Sequence, residues 1–488
     1  MAVRLRACIV GAGFSGLGAA IALRRSGISD FLILERADRV GGTWRDNIYP
    51  GCACDVQSRL YELSSVPWPA WTRRFAGQPE IQQYLESVVE IFGLEPHLRM
   101  NTELLQATWS EDRGCWQLQT STGDVDCDSL ILGTGGLVEP LIPDVPGAET
   151  FSGAVMHTAR WDPEVDLAGR RVAVVGTGAS AIQVVPAIAP EASRVVLLQR
   201  TPPWIMPRRD RAIPRWYREL LGAVPPLHRA VRSAAARTRD LQLLSFTRQG
   251  PFRAMGERVA RRHLASQVPD AALRKRLTPD YAMGCKRVLL SDDYYPALCR
   301  SNVEVVPALA EITPHAVVDA DGVEHPVDVL IWATGFAVMD SPIAPRIIGA
   351  EGISLGDVWS AEGIAAYRGT VVAGFPNLYL LMGPHTGLGH SSVVLMSEAQ
   401  IGYTVQAVAA DEILDVEPSR QEDFERWLDE RMATTVWQTG GCDSWYQDGS
   451  GRNVALWPGS TRSFARLMRR FDRESYRAST RRRVHASA

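Results

Sequence analysis

One pattern constrains this chain more than any other, and it occurs twice. An apolar run at residues 6–10 meets the glycine-rich turn GAGFSG at 11–16. A helix-favouring segment, LGAAIALRRSG, follows and ends at Gly27, a residue suited to a helix C-cap. A second apolar run, FLILER, then closes at Glu35 and Arg36. The later copy reads RVAVVGTGASA, continues as a helix through Ile188, and returns as RVVLLQR, closing at Arg200. In both copies the second strand ends 24 residues after the first glycine, at Glu35 and at Arg200. Each copy is a strand–turn–helix–strand unit of the size that binds a dinucleotide.

The copies share an ending. DSLILGTGG (128–136) and DVLIWATGF (328–336) each follow alternating segments broken by turn residues, Ser121 to Asp124 in one case and Asp321-Gly322 in the other. This reads as a short β-meander returning to a buried strand. The expected fold class is α/β: two tandem Rossmann-like dinucleotide-binding domains with a helical insertion. The insertion, rich in arginine and alanine, reads as several helices packed on one face of the second unit. The expected boundaries are 1–144 and 340–488 for the first domain and its C-terminal tail, 145–204 and 285–339 for the second, and 205–284 for the insertion.

A length of 488 residues leaves room for two or three domains. With 52 basic and 55 acidic residues the net charge is −3, so no overall field favours nucleic acid or an anionic membrane. The insertion's arginines spread around the helical period with few aromatics between them, which describes a solvated face better than a nucleic-acid patch. No stretch approaches the roughly 18 apolar residues of a membrane span. The first residues lead into a glycine turn and read as a buried strand, not a signal peptide. Eight scattered cysteines, with Cys52 and Cys54 in neither redox nor zinc spacing, suggest reduced thiols and a cytoplasmic protein. Only two of the basic residues are lysines, Lys275 and Lys286.

Gly11 and Gly13 let backbone approach a pyrophosphate at a helix N-terminus, and Gly16 permits close packing of that helix. Glu35 ends the second strand, where a carboxylate accepts hydrogen bonds from ribose hydroxyls and repels a 2′-phosphate. Arg200 and Thr201 stand at the matching place in the second copy, and a cation with a hydroxyl suits a 2′-phosphate. The first site is therefore assigned to FAD and the second, with Gly176, Gly178 and Ala181 in its turn, to NADPH.

Between the copies, Phe151, Gly153, His157 and Trp161 stand in FSGAVMHTARWD. This resembles the FxGxxxHxxxW[PD] fingerprint of Baeyer–Villiger monooxygenases. The resemblance continues along nearly the whole chain, through GGTWRDNIYPGCACDV (41–56), GCKR (284–287), WATGF (332–336) and GPHTGLGH (383–390). It implies an FAD-containing, NADPH-dependent enzyme that forms a C4a-peroxyflavin and inserts one oxygen atom of O2 into a ketone, giving an ester or lactone. By the same resemblance, Arg287 stabilises negative charge at the reacting centre and Asp55 holds that arginine. Phe14, Ser15, Arg36, Gly42, Thr43, Trp44, Asp55, Val56, Tyr61 and Leu104 join Gly11, Gly13, Gly16 and Glu35 around FAD. Thr177, Ala179, Ser180, Lys286, Ala333, Thr334 and Gly335 join Gly176, Gly178, Arg200 and Thr201 around NADP. His157 and Trp161 fall in a linker between domains, a place from which they would couple domain motion or support NADP.

Two departures bear on substrate type: His385 stands where many members have Asn, and Cys52 and Cys54 where an arginine-bearing variant is frequent. The nearest rival activity is oxidation of nitrogen or sulfur atoms by a related flavin monooxygenase. A dithiol–disulfide reductase would want a CxxxxC-type pair beside the flavin, which is missing. A non-catalytic nucleotide-binding protein would show no NADPH oxidation.

Overall fold

The structure, a computed structural model, describes residues 4–243, 250–338 and 341–480. Both expected dinucleotide folds are present as five-stranded parallel sheets. In the first, Ala7–Val10 lies between Phe31–Leu34 and Leu130–Leu132, with Leu98–Arg99 and Leu378–Leu380 at the two edges. In the second, Arg171–Val175 lies between Arg194–Leu198 and Val329–Trp332, with Val303–Val306 and Ala154–His157 at the edges. The three central strands of each sheet are almost unbroken apolar runs because helices or further sheet cover both of their faces.

Each unit carries its meander: Leu104–Ser110, Cys115–Thr120 and Val125–Cys127 in the first, Leu309–Thr313, Ala316–Asp319 and Glu324–Pro326 in the second, all antiparallel. The C-terminal part completes the first unit. Its helix Val393–Ala409 packs on the turn helix Phe14–Arg25, where the Ser397 hydroxyl donates to the Ser15 hydroxyl at 2.9 Å.

The fold corrects three expectations. The insertion does not sit on the second unit alone. Helix Pro225–Gln242 packs on the first unit, where His228 meets Glu62 at 2.6 Å and Arg232 meets Glu398 at 2.8 Å. Glu62 is fully buried, so it must be satisfied from every side; Trp68 N–H, Trp71 Nε1 and His228 converge on its carboxylate. Helix Pro251–Gln267 does pack on the second unit, through Leu264 and the adjoining Val268. Second, two of the eight cysteines are not free: Cys285 and Cys442 form a disulfide. The cytoplasmic reading, which leaned on reduced thiols, loses that support. Third, His157 is not in a linker. It ends the edge strand of the second sheet, opposite Trp332. The arginine-rich end of the chain, residues 481–488, lies outside the described residues.

Candidate active site

In the first turn, Gly11 has φ +100°, and a Cβ there would stand 2.7 Å from the Gly133 carbonyl oxygen. A Cβ on Gly16 would stand 1.8 Å from the Gly11 carbonyl oxygen. Gly13 is different: its nearest neighbour would be Gly42 Cα at 3.9 Å, so the space it leaves is open. Helix Phe14–Arg25 has no side-chain cap, which leaves its first N–H groups free for an anion. Glu35 is buried, with one carboxylate oxygen accepting from Ala12 N–H at 2.9 Å and the other from Ala37 N–H at 3.0 Å and Arg45 at 2.8 Å. Such a cradle fits a dinucleotide whose ribose meets a fixed carboxylate. Thr43 and Trp44 open a short helix after Gly42 (φ +54°). The Trp44 indole donates to the Tyr61 hydroxyl at 3.1 Å, and Phe14 meets Tyr61 edge to face at 4.9 Å. Arg36 points away to an exposed ion pair with Glu139. Leu104 is buried in one core cluster with Cys8, Val10 and Leu34, the last two of which end the strands that frame the turn.

In the second turn, Gly176 has φ +108° and its missing Cβ would face the Ala333 carbonyl oxygen at 2.6 Å. Nothing lies within 4 Å of a Cβ on Gly178 or Gly335. Ala179 and Ser180 lead into helix Ala181–Ile188, again without a side-chain cap. The Thr177 hydroxyl donates to the Thr201 carbonyl at 2.8 Å, and that of Thr334 to the Leu141 carbonyl at 2.5 Å. Lys286 sits over the Tyr281 ring at 5.4 Å. Burial first, then the charge of nearby Arg200, holds its ammonium below the usual lysine range. Two cations that repel each other across a gap suit a doubly charged anion between them.

The two units meet at Asp55. Gln183, on the second unit's helix, donates to the Ala53 carbonyl at 2.9 Å and accepts from the Tyr49 hydroxyl at 2.9 Å. Gly51 (φ +82°) comes so close to this helix that a Cβ would stand 2.7 Å from the Gln183 carbonyl oxygen. Asp55 is thereby presented to Arg287, whose Nε lies 3.0 Å from one carboxylate oxygen and whose Nη2 lies 2.7 Å from each. The pair is bidentate, and the Asp55 charge drives the arginine further above its ordinary value against the opposing effect of burial. Even so, 36% of the Arg287 side chain stays exposed. The guanidinium is fixed in direction, permanently charged, and open on one side. Val56 is buried next to it and donates its N–H to the Cys54 thiol at 3.3 Å.

The glycine of the FxGxxxHxxxW segment has a steric basis. A Cβ on Gly153 would stand 2.3 Å from the Asp328 carbonyl oxygen and 2.7 Å from the Phe151 ring. Trp161 is partly buried against the core of the second unit. His157 Nδ1 accepts from Ala159 N–H at 3.0 Å, which places the proton of the neutral ring on Nε2. Burial, then the charge of Arg160, lowers its pKa to about 4 against the raising effect of the Gly335 backbone, so the ring is neutral at pH 7.

The departures also have structural accounts. His385 has φ +56°, the left-handed region in which Asn, Asp and His are enriched, so His and Asn are alternatives for one backbone shape. Burial pushes the Cys52 thiol up to about 12, and Cys54 higher still, so neither is a reactive thiolate. Sequence reasoning passed over Arg45, Gln183, Tyr446 and the Cys285–Cys442 pair. Only Arg45 carried a local signal, directly after Gly42-Thr43-Trp44.

The pyridine nucleotide-disulphide oxidoreductase family matches residues 8–224. A Baeyer–Villiger monooxygenase of Streptomyces coelicolor is 48% identical over 479 residues, covering 97% of this chain and 92% of the relative. One of Pseudomonas aeruginosa is 44% identical over 483 residues, covering 97% and 92%. Among solved structures, cyclohexanone monooxygenase from Rhodococcus sp. Phi1 bound to NADP+ superposes with a TM-score of 0.87 at 26% identity, covering 98% of this chain and 100% of that one.

Proposed function

The chain belongs to the Baeyer–Villiger monooxygenase family, and from that premise we propose that Arg287 and Asp55 carry oxygen insertion into a ketone between its two cofactor turns. It is an NADPH-dependent flavoprotein monooxygenase with FAD at the first turn and NADP at the second. The overall reaction takes ketone, O2, NADPH and a proton to ester or lactone, NADP+ and water. When bound, FAD and NADPH supply the reducing electrons and the activation of dioxygen. Ketone and O2 are the partners in this reading, and a cytoplasmic setting belongs to it because the reaction consumes NADPH. Among the described residues no helix is long and apolar enough to cross a membrane.

The protein's own contribution starts with charge. Negative charge gathers on oxygen as the carbonyl is attacked, and a cation already in place stabilises it without reorganising at that moment. Arg287 cannot give up its proton under working conditions, so it acts as a fixed charge and hydrogen-bond donor. Asp55 aims the guanidinium and leaves one side free. Gly11, Gly13 and Gly42 admit the flavin pyrophosphate, Glu35 orients its ribose, and Lys286, Arg200 and Thr201 take the NADP 2′-phosphate. His157, neutral at the sheet edge beside Gly335, supports the NADP side and donates only through Nε2.

The observation that carries this reading is the bidentate Asp55–Arg287 pair, open on one side, at the seam of the two units. Its test is Arg287→Ala. The variant should still bind flavin and reduce it with NADPH, while ester formation from a panel of cyclic, linear and aromatic ketones falls by at least about 100-fold, the scale of losing one oxyanion donor. Normal ester yields would remove Arg287 from the chemistry. A sulfide in the same panel, compared with ketones across pH, separates heteroatom oxidation from ketone oxidation.

A further inference from the structure

The loop that holds Lys286 and Arg287 lies alongside a C-terminal segment, and a covalent bond joins the two. Ala282 N–H donates to the Gly440 carbonyl at 3.3 Å. Cys285, immediately before Lys286, is 1% exposed and bonded to Cys442, 157 residues away, with Cα atoms 6.2 Å apart. Gly440 has no room for a side chain: a Cβ there would stand 2.5 Å from Cys285 Cβ and 2.7 Å from its sulfur. The same segment carries Asp443, whose charge acts on Lys286, and buried Tyr446, which lies in the field of Arg287. Cys285, Cys442 and Tyr446 share one apolar cluster with Trp204 and Tyr281.

We propose that the Cys285–Cys442 disulfide is a redox-sensitive positioning cross-link: it clamps residues 440–446 onto residues 284–287 and so fixes where Lys286 and Arg287 face the cofactors. The proposal rests on the roles given to those two residues above. Cys285 is enclosed, whereas Cys442 is partly exposed, so exchange enters at the Cys442 sulfur. A thiolate of an external dithiol attacks that sulfur and the Cys285–Cys442 bond breaks. Cys285 leaves as a thiolate and takes up a proton. The second thiol of the reagent then displaces Cys442, which is protonated in turn. Two electrons pass from the dithiol, which becomes a disulfide, to the protein pair, and the reverse exchange with an oxidised dithiol restores the clamp. With the clamp open, the loop keeps its sequence and its charges but loses its fixed geometry. NADPH is then captured less well, and more of the NADPH consumed yields hydrogen peroxide instead of product.

The test counts thiols and then measures coupling. Holoenzyme equilibrated with an oxidised dithiol, denatured and alkylated, should show six reactive cysteines, rising to eight after reduction; Cys285 and Cys442 peptides should migrate as one species until reduced. Eight thiols at the first step would overturn the proposal. Reduced wild-type enzyme, freed of reductant and assayed before reoxidation, should show a severalfold higher KM for NADPH, little change in kcat for NADPH consumption, and a severalfold larger peroxide yield. Cys285→Ser, Cys442→Ser and the double variant should each match the reduced wild type, because all remove the same bond. Identical KM and peroxide yield in oxidised and reduced wild type would overturn the proposal, as would additive effects in the double variant, which belong to packing. Should the variants not fold, the wild-type comparison decides alone. The thiol count and the NADPH kinetics need no ketone, so they stand apart from whether ester is formed.

Discussion

The two dinucleotide units have the same strand order around their turns and differ in how tightly the turn closes. In the first, helix and closing strand meet with no side chain between them. A Cβ on Gly16 would strike the Gly11 carbonyl, and one on Gly133 would stand 2.9 Å from Gly16 N. The second unit has alanine at both matching places, Ala181 and Ala333, and both are buried in one core cluster. Regular helix starts at Phe14 in the first unit and only at Ala181 in the second. There Gln183 N–H reaches back to Ser180, a tighter and less regular bond than the usual one to a residue four earlier. What both turns require is their first glycine, which needs positive φ and faces a carbonyl of the closing segment. The third glycine is a matter of spacing.

Gly16→Ala should break this comparison most severely. The added carbon would overlap backbone, which has nowhere to move, so the cost should exceed the roughly 1–3 kcal/mol of ordinary overpacking. We expect purified protein with little flavin and a lower Tm, read from the flavin-to-protein absorbance ratio and a melting curve. Full flavin content would show that the first turn is no tighter than the second.

The units differ also at the fifth strand. The first borrows Leu378–Leu380 from the C-terminal part, and the second uses Ala154–His157, so a titratable residue stands where the first has Leu380. His157 is 3% exposed, and its pKa falls from 6.5 to about 4. The unfolded chain then binds more protons than the folded one between those values. Stability is therefore complete above about pH 6.5 and lost as pH falls towards 4. The displacement corresponds to roughly 3 kcal/mol. His157→Gln should remove that portion of the acid loss, giving a flatter curve of unfolding free energy against pH by urea titration. Parallel curves for the two proteins would mean that the folded state accepts the proton freely.

What was legible in the sequence follows the same physics. Gly11 and Gly176 could be read because a positive φ and a facing carbonyl leave one residue type possible, and that demand recurs at the same place in each copy. The closing strands could be read because burial on both faces leaves unbroken apolar runs. The insertion's placement could not, because it depends on Glu62 finding His228, 166 residues away, and no local pattern announces which buried carboxylate an arginine-rich helix will serve. Arg287 and Asp55 were named by resemblance. Their contact, 232 residues apart in sequence, is a property of the fold.

The smallest effect tests the comparison from its other side. Ala181→Gly gives the second turn the residue that the first cannot do without. If the wider turn is set by its own backbone, removing a Cβ there only leaves a small void and loosens the start of a helix, a cost of about 0.5–1 kcal/mol. Flavin content should be unchanged, and the KM for NADPH should stay within about twofold, since a 0.4 kcal/mol change in binding is already that large. Urea unfolding with a shifted midpoint and an unchanged slope would confirm a local loss. A gain in stability would say the opposite: that the second turn is held open by Ala181, and that given the chance it closes onto Ala333 as the first closes onto Gly133.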